Sequence, residues 1–229
     1  MKIKNLILGL TALLVVTSCS EDNYIIKLKE AGRISLDVTN VESPLEGEKV
    51  YLIPLEGEMR SSEVIEYSID NQVTDANGHV SFGDVNVGNY YIVMEDVEID
   101  GKFYNPFKLV QAVSDVHKSY SLNVMDYTGT IEVTVKNYDN TSYEYEPYSG
   151  AKVAVLTEND YYNFSTIEER LTKKIEEQTT GSNGKVTFTL PSGESYYAIV
   201  YLTNESYTSE YLSYVDAGEE EYETIETNF

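Results

Sequence analysis

The chain has 229 residues, with 39 acidic side chains against 16 basic ones and a formal charge of −23. That sign excludes a phosphate-backbone partner, because nucleic-acid binding needs clustered Lys and Arg, and an anionic lipid surface would repel the chain as well. A single cysteine leaves no disulfide framework, so stability must come from packed cores. The 21 tyrosines, with no tryptophan, favour β-structure, where a ring packs on a pleated surface while its hydroxyl reaches water.

Lys2 and Lys4 precede an apolar run from Leu6 to Val16 that is too short to span a bilayer comfortably and reads as a secretory signal. It closes on Thr17-Ser18-Cys19. The segment resembles a bacterial lipoprotein signal, which implies removal of residues 1–18 and lipid on Cys19 as the new N-terminus. Ser20-Glu21-Asp22 resembles the acidic surface-export signal of some Gram-negative lipoproteins. The implied address is the outer membrane, lipid-anchored and exposed on the cell surface, with residues 19–31 as lipidated N-terminus and linker.

Beyond the linker the chain repeats itself. Gly32 to Val38 matches Gly129 to Val135, and Gly47-Glu48-Lys49-Val50 matches Gly150-Ala151-Lys152-Val153. Thr74 to Phe82 (TDANGHVSF) recurs as Thr180 to Phe188 (TGSNGKVTF), and each copy runs through a glycine, Gly88 or Gly193, into a tyrosine pair, Tyr90-Tyr91 or Tyr196-Tyr197. The expected units are 32–127 and 128–229. Ile34, Leu36 and Val38, like Ile131, Val133 and Val135, alternate with polar residues, the period-two pattern of a half-buried strand. Asn77-Gly78 and Asn183-Gly184 tolerate positive φ and read as hairpin turns. Short strands between turn signals predict an all-β chain of two tandem antiparallel sandwiches.

These residues resemble the transthyretin-like or carboxypeptidase-regulatory-like β-sandwich, close to the B-type repeats of collagen adhesins. The resemblance implies an Ig-like fold and leaves function open. Such repeats often carry a Lys-to-Asn isopeptide bond with an acidic catalyst. Here Lys136 and Asn228 lack the acid, because Tyr201 stands in its place, and Glu95 and Asn123 lack the lysine; no isopeptide is expected in either unit.

The second unit carries an expected insertion, a short helix across one edge, capped by Ser165 with Glu168 and burying Ile167 and Leu171. Tyr161, Tyr162 and Phe164 form an aromatic patch beside it. In the first unit, the stretch Asp100 to Phe107 is expected to be a loop whose Phe103, Tyr104 and Phe107 form a ligand-binding cluster, since binding residues gather on loops of a rigid scaffold. The alternative for those rings is packing at the seam between units.

Chemistry is sparse. The imidazoles are His79, in the first Asn-Gly turn, and His117, expected in a loop with no serine motif attached. No nucleophile elbow, zinc helix or phosphate loop occurs, and Asp70, Asp75 and Asn77 lack the spacing of a calcium loop. No enzyme activity, cofactor or metal is expected. The expected function is a lipid-anchored surface protein acting in adhesion or as a structural or accessory module of a surface complex, with a protein or glycan ligand; the alternative is a glycan-binding accessory lipoprotein of an outer-membrane carbohydrate-uptake system.

Overall fold

The computed structural model describes residues 31–55, 64–203 and 206–229; the signal segment and Cys19 lie outside them. In the first unit the strands are β1 (Ala31–Asn40), β2 (Ser43–Pro44), β3 (Lys49–Pro54), β4 (Asp70–Val73), β5 (His79–Asn86), β6 (Gly88–Met94), β7 (Val97–Ile99), β8 (Lys102–Tyr104), β9 (Phe107–Ala112) and β10 (His117–Asn123). The second unit supplies β11 (Thr128–Asp139), β12 (Glu144–Pro147), β13 (Lys152–Thr157), α1 (Glu158–Asn163), α2 (Ile167–Leu171), β14 (Glu176–Thr179), β15 (Lys185–Pro191), β16 (Tyr196–Thr203), β17 (Ser206–Leu212) and β18 (Glu220–Thr227).

Each unit is a sandwich of two sheets with matching order. β4-β3-β6-β9 in the first corresponds to β14-β13-β16-β17 in the second. The facing sheet is built on the first strand: β1 pairs antiparallel with β5 and parallel with β10, and β11 pairs in the same way with β15 and β18. The parallel closure is the feature that alternation along the chain does not specify. Ile34 lies opposite Phe82 in one unit and Ile131 opposite Phe188 in the other. All four are fully buried, each worth about 1.5–3 kcal/mol of transfer free energy. The two cores share no side chain. One gathers Ile34, Leu36, Val50, Phe82 and Ile92, the other Ile131, Val133, Val153, Phe188 and Val200.

The Asn-Gly segments are not two-residue hairpins between ladder partners. β4 belongs to one sheet and β5 to the other, as do β14 and β15, so each turn carries the chain over the corner of the sandwich. Its residues explain why. Thr74 and Thr180 are buried, and their hydroxyls accept from the amides of Glu48 and Ala151 at 2.9 and 3.0 Å. Gly78 and Gly184 then take φ of +71° and +73°, with the carbonyl of Val38 or Val135 only 2.3 or 2.6 Å from where a Cβ would stand. A glycine is required on both counts. Asp75 secures the first turn by accepting from the amides of Asn77 and His79, bonds that hold its carboxyl below the usual carboxylate range.

A two-residue hairpin of the kind expected lies elsewhere. Ile99 pairs with Lys102 across Asp100-Gly101, whose φ values of +52° and +74° are those of a type I′ turn. The stretch expected as a loop is therefore the β7–β8 hairpin, followed by the first residue of β9. Among the described residues no helix is long and apolar enough to cross a membrane.

Candidate binding surface

The helical insertion sits elsewhere than on an edge, and the helix start is displaced by one residue. Thr166, not Ser165, caps α2, its hydroxyl accepting from the amide of Glu169 while the Glu169 carboxylate accepts from the Thr166 amide. Both Ser165 and Thr166 have a glutamate three residues on. The observed frame places Ile167 in the first turn, where it is buried with Ala154, Leu156, Ile199 and Tyr201. These residues form the outward face of the β13–β16 ladder, so α1 and α2 cover a sheet face as a third layer.

On α1, residues four apart share a stripe. Tyr161 turns toward the sheet, and its ring stacks on that of Tyr197 in β16 at 3.8 Å and 4°. The Arg170 guanidinium lies 3.9 Å from the centre of the same ring and must occupy its other face, since two groups at that distance cannot share one. Arg170 Nε also donates to the carbonyls of Tyr161 and Phe164 at 3.0 and 2.9 Å, which fastens α2 to α1. A cation over a ring contributes about 0.5–1 kcal/mol at an exposed site. Tyr162 meets Tyr197 edge-on with their hydroxyls 2.7 Å apart. That hydrogen bond is the main reason the Tyr197 phenol is pushed up to about 12. Tyr211 of β17 closes the group, edge-on to Tyr197 and donating to Ser195 Oγ at 3.1 Å.

The other stripe of α1 carries Glu158, Asn159, Tyr162 and Asn163, and it forms one wall of a groove of about 490 Å³. Gly193, Glu194, Ser195 and Tyr214 complete it. Its walls are tied together, with the Glu158 amide donating to the Ser195 carbonyl at 2.9 Å and the Gly193 amide to the Val215 carbonyl at 3.3 Å. Tyr214 is held between Ser213, which donates to Glu223, and the buried Val215. Tyr162 is 65% exposed and Tyr214 49%. Burial, together with the nearby Asp96 of the first unit, raises the Glu194 carboxyl.

The cluster expected at Phe103, Tyr104 and Phe107 is divided by the period of the strand. Tyr104 points into the first core at 2% exposure, whereas Phe103 is exposed on the opposite side of β8. Phe107 lies edge-on to Tyr91, near Tyr127, and lines a cavity of about 470 Å³ between the units with Met94 and Tyr214. The hairpin itself reaches the second unit: Lys102 Nζ donates to Glu176 at 2.8 Å and to the Thr189 carbonyl at 2.7 Å. Of the aromatic patch expected in the second unit, Tyr161 and Tyr162 come together while Phe164 stands outside the ring stack, under Lys173. The partners that complete it, Tyr197 and Tyr211, come from strands distant in sequence.

His117 opens β10 instead of lying in a loop, and its Nε2 is 3.0 Å from Ser35 Oγ. Ser35 is 1% exposed and also bonds Ser119 across the β1–β10 ladder, so the hydroxyl fastens two strands and is closed to a substrate. His79 Nδ1 lies 2.7 Å from Asp37, and Asn123 caps the turn after β10 while accepting from the Val41 amide.

Fold and surface together define a protein of two tandem β-sandwiches with a tyrosine-lined groove on its second unit. No family model and no curated protein matches the chain. Among solved structures it is similar to the minor pilin GBS52 of Streptococcus agalactiae, at 14% identity over 86% of this chain and 95% of that one, with a TM-score of 0.43. It is also similar to the Bacillus anthracis TIE protein, at 12% identity and a TM-score of 0.39 over 87% of this chain. A streptococcal ancillary pilin gives 19% identity and a TM-score of 0.33, again over 87%. The chain spans 34% of the length of the second of these and 62% of the third.

Proposed function

We propose that this chain is a non-enzymatic surface protein, held to the outer membrane by lipid on Cys19, whose two sandwiches present a binding face for adhesion or for an accessory role in a surface complex. The observation that carries the reading is the tyrosine groove. Its exposed rings sit on a backbone fastened from three sides, which is the preorganisation a binding surface needs and a merely solvated helix does not. The Lys102 contacts with Glu176 and Thr189 support a coupled pair of units instead of two beads on a string. The same groove supports the second reading, a glycan-binding accessory lipoprotein of a carbohydrate-uptake system.

Surface placement is tested by protease shaving of intact cells. Wild-type chain should be cleaved, and Cys19→Ala should leave the membrane fraction. A Cys19→Ala protein that stays membrane-bound, or a wild-type chain protected on intact cells, would refute the anchored surface reading.

A further inference from the structure

The groove on the second unit has a property that narrows its ligand. Among the described residues the side chains of Glu158, Asn159, Asn163, Glu194 and Tyr214 line it and make no hydrogen bond or ion pair with the rest of the chain. Two exposed phenol rings therefore stand beside carboxylates and amides whose hydrogen-bonding capacity is unspent, around a volume of about 490 Å³, inside the range of about 300–1,000 Å³ usual for a small-ligand site.

We propose that this groove is a binding subsite for a neutral saccharide. The inference rests on the reading of the second unit as the ligand-bearing one and names the ligand's chemistry. A pyranose ring has an apolar face of C–H bonds, which matches a phenol ring, and a rim of hydroxyls that each donate and accept. Carboxylates accept only, whereas side-chain amides both donate and accept. A rim lined by two of each kind, Glu158 and Glu194 with Asn159 and Asn163, answers both halves of a hydroxyl pair. An apolar peptide would leave these polar groups desolvated and unpaired. A cationic ligand would satisfy the carboxylates but leave the amide donors unanswered. An acidic polysaccharide is repelled by both glutamates and by a chain of net charge −23. The Tyr162 ring is fixed before binding by its bond to Tyr197, so little of its side-chain entropy remains to be lost, and the backbone that carries Tyr214 is anchored through Ser213 and Val215.

The test is affinity electrophoresis of the full chain through gels containing soluble starch, mixed-linkage β-glucan, galactomannan or xylan, with alginate, polygalacturonate and poly-lysine as charged probes. At least one neutral polysaccharide should retard the protein, and high salt should leave the retardation unchanged. Tyr214→Ala and Asn163→Ala, which remove groups without internal bonds, should each weaken it about tenfold or more, a loss of about 1.4 kcal/mol, with unaltered melting. Tyr222→Ala, at a tyrosine 65% exposed on β18 and outside the groove, should bind as wild type. Failure of all four neutral polysaccharides overturns the proposal. So does full retardation of Tyr214→Ala, or binding confined to poly-lysine and erased by salt. Protease shaving separates the two levels: a displayed chain that binds no saccharide defeats the groove alone, and a saccharide-binding chain absent from the surface defeats the surface-module reading alone.

Discussion

Replacing Phe82 with Ala removes a side chain with no exposed surface, facing Ile34 across the β1–β5 ladder. A fully buried Phe→Ala change costs about 3–5 kcal/mol, part lost transfer energy and part cavity. For a unit of this size each kcal/mol moves the melting temperature by about 4–8 °C, so the first unit should melt about 12 °C or more lower. How much of that reaches the second unit depends on what joins them. The cores share no residue, and the Lys102–Glu176 pair, whose side chains are 17% and 29% exposed, is worth about 1 kcal/mol once screening is allowed for. The second unit's transition should therefore move by no more than about 8 °C. Differential scanning calorimetry of the full chain resolves the two cases, with Phe188→Ala as the mirror experiment displacing the other transition. If both variants shift one common transition by the same amount, the chain melts as a single cooperative body and the separation of the cores has no energetic meaning.

Gly78→Ala should cost about 2 kcal/mol or more by urea denaturation, combining left-handed strain of about 1–2 kcal/mol with collision against the Val38 carbonyl. Gly47→Ala, at φ +86° with nothing within 4 Å of the added carbon, should cost the strain alone, and equal losses would remove the close approach from the explanation. The raised Tyr197 phenol binds its proton more tightly in the folded state, so its contribution is complete below the unfolded value of about 10 and is lost as pH rises toward about 12. Tyr162→Phe should flatten that alkaline loss in pH-dependent melts; an unchanged profile would detach it from the hydrogen bond. Lys102→Met should lower the melting temperature and widen the distribution of angles between units in solution scattering, and a variant scattering as wild type would show that the seam is held elsewhere.

The scaffold was legible because both copies wrote it twice. Alternation at Ile34, Leu36 and Val38 and again at Ile131, Val133 and Val135 gave strands with one buried face, and period two leaves little freedom in which face is which. The corner residues were visible but misread. Asn-Gly signals positive φ, and positive φ serves a sheet-to-sheet crossing as well as a ladder hairpin; the deciding contacts, Thr74 with Glu48 and Gly78 with Val38, are remote in sequence. Conversely Asp100-Gly101, a hairpin signal of the same kind, sat inside a stretch read as a loop, and its alternation would have sent Phe103 and Tyr104 to opposite sides. Capping chemistry alone could not choose between Ser165 and Thr166. Packing of Ile167 on Leu156 and Ile199 decided. The groove was not legible: the expected helix began at Ser165 and did not include α1 (Glu158–Asn163), whose stripe lines the groove, and Glu194 and Tyr214 arrive from two turns that tertiary structure brings alongside.

The parallel closure of each unit has a mechanical consequence. The chain enters a unit at the start of β1 and leaves it at the end of β10, and these strands run side by side from Arg33 opposite His117 to Thr39 opposite Asn123. The second unit repeats the arrangement from Thr130 opposite Glu220 to Asn137 opposite Thr227. Tension along the chain therefore pulls the two strands past each other lengthwise, and the rungs between them are loaded together instead of opening one at a time as in an unzipping hairpin. Survival under load is set by the rate of unfolding and not by equilibrium stability. A protein tethered ahead of its first unit and engaged at the groove of its second would carry drag through the β1–β10 ladder in this orientation.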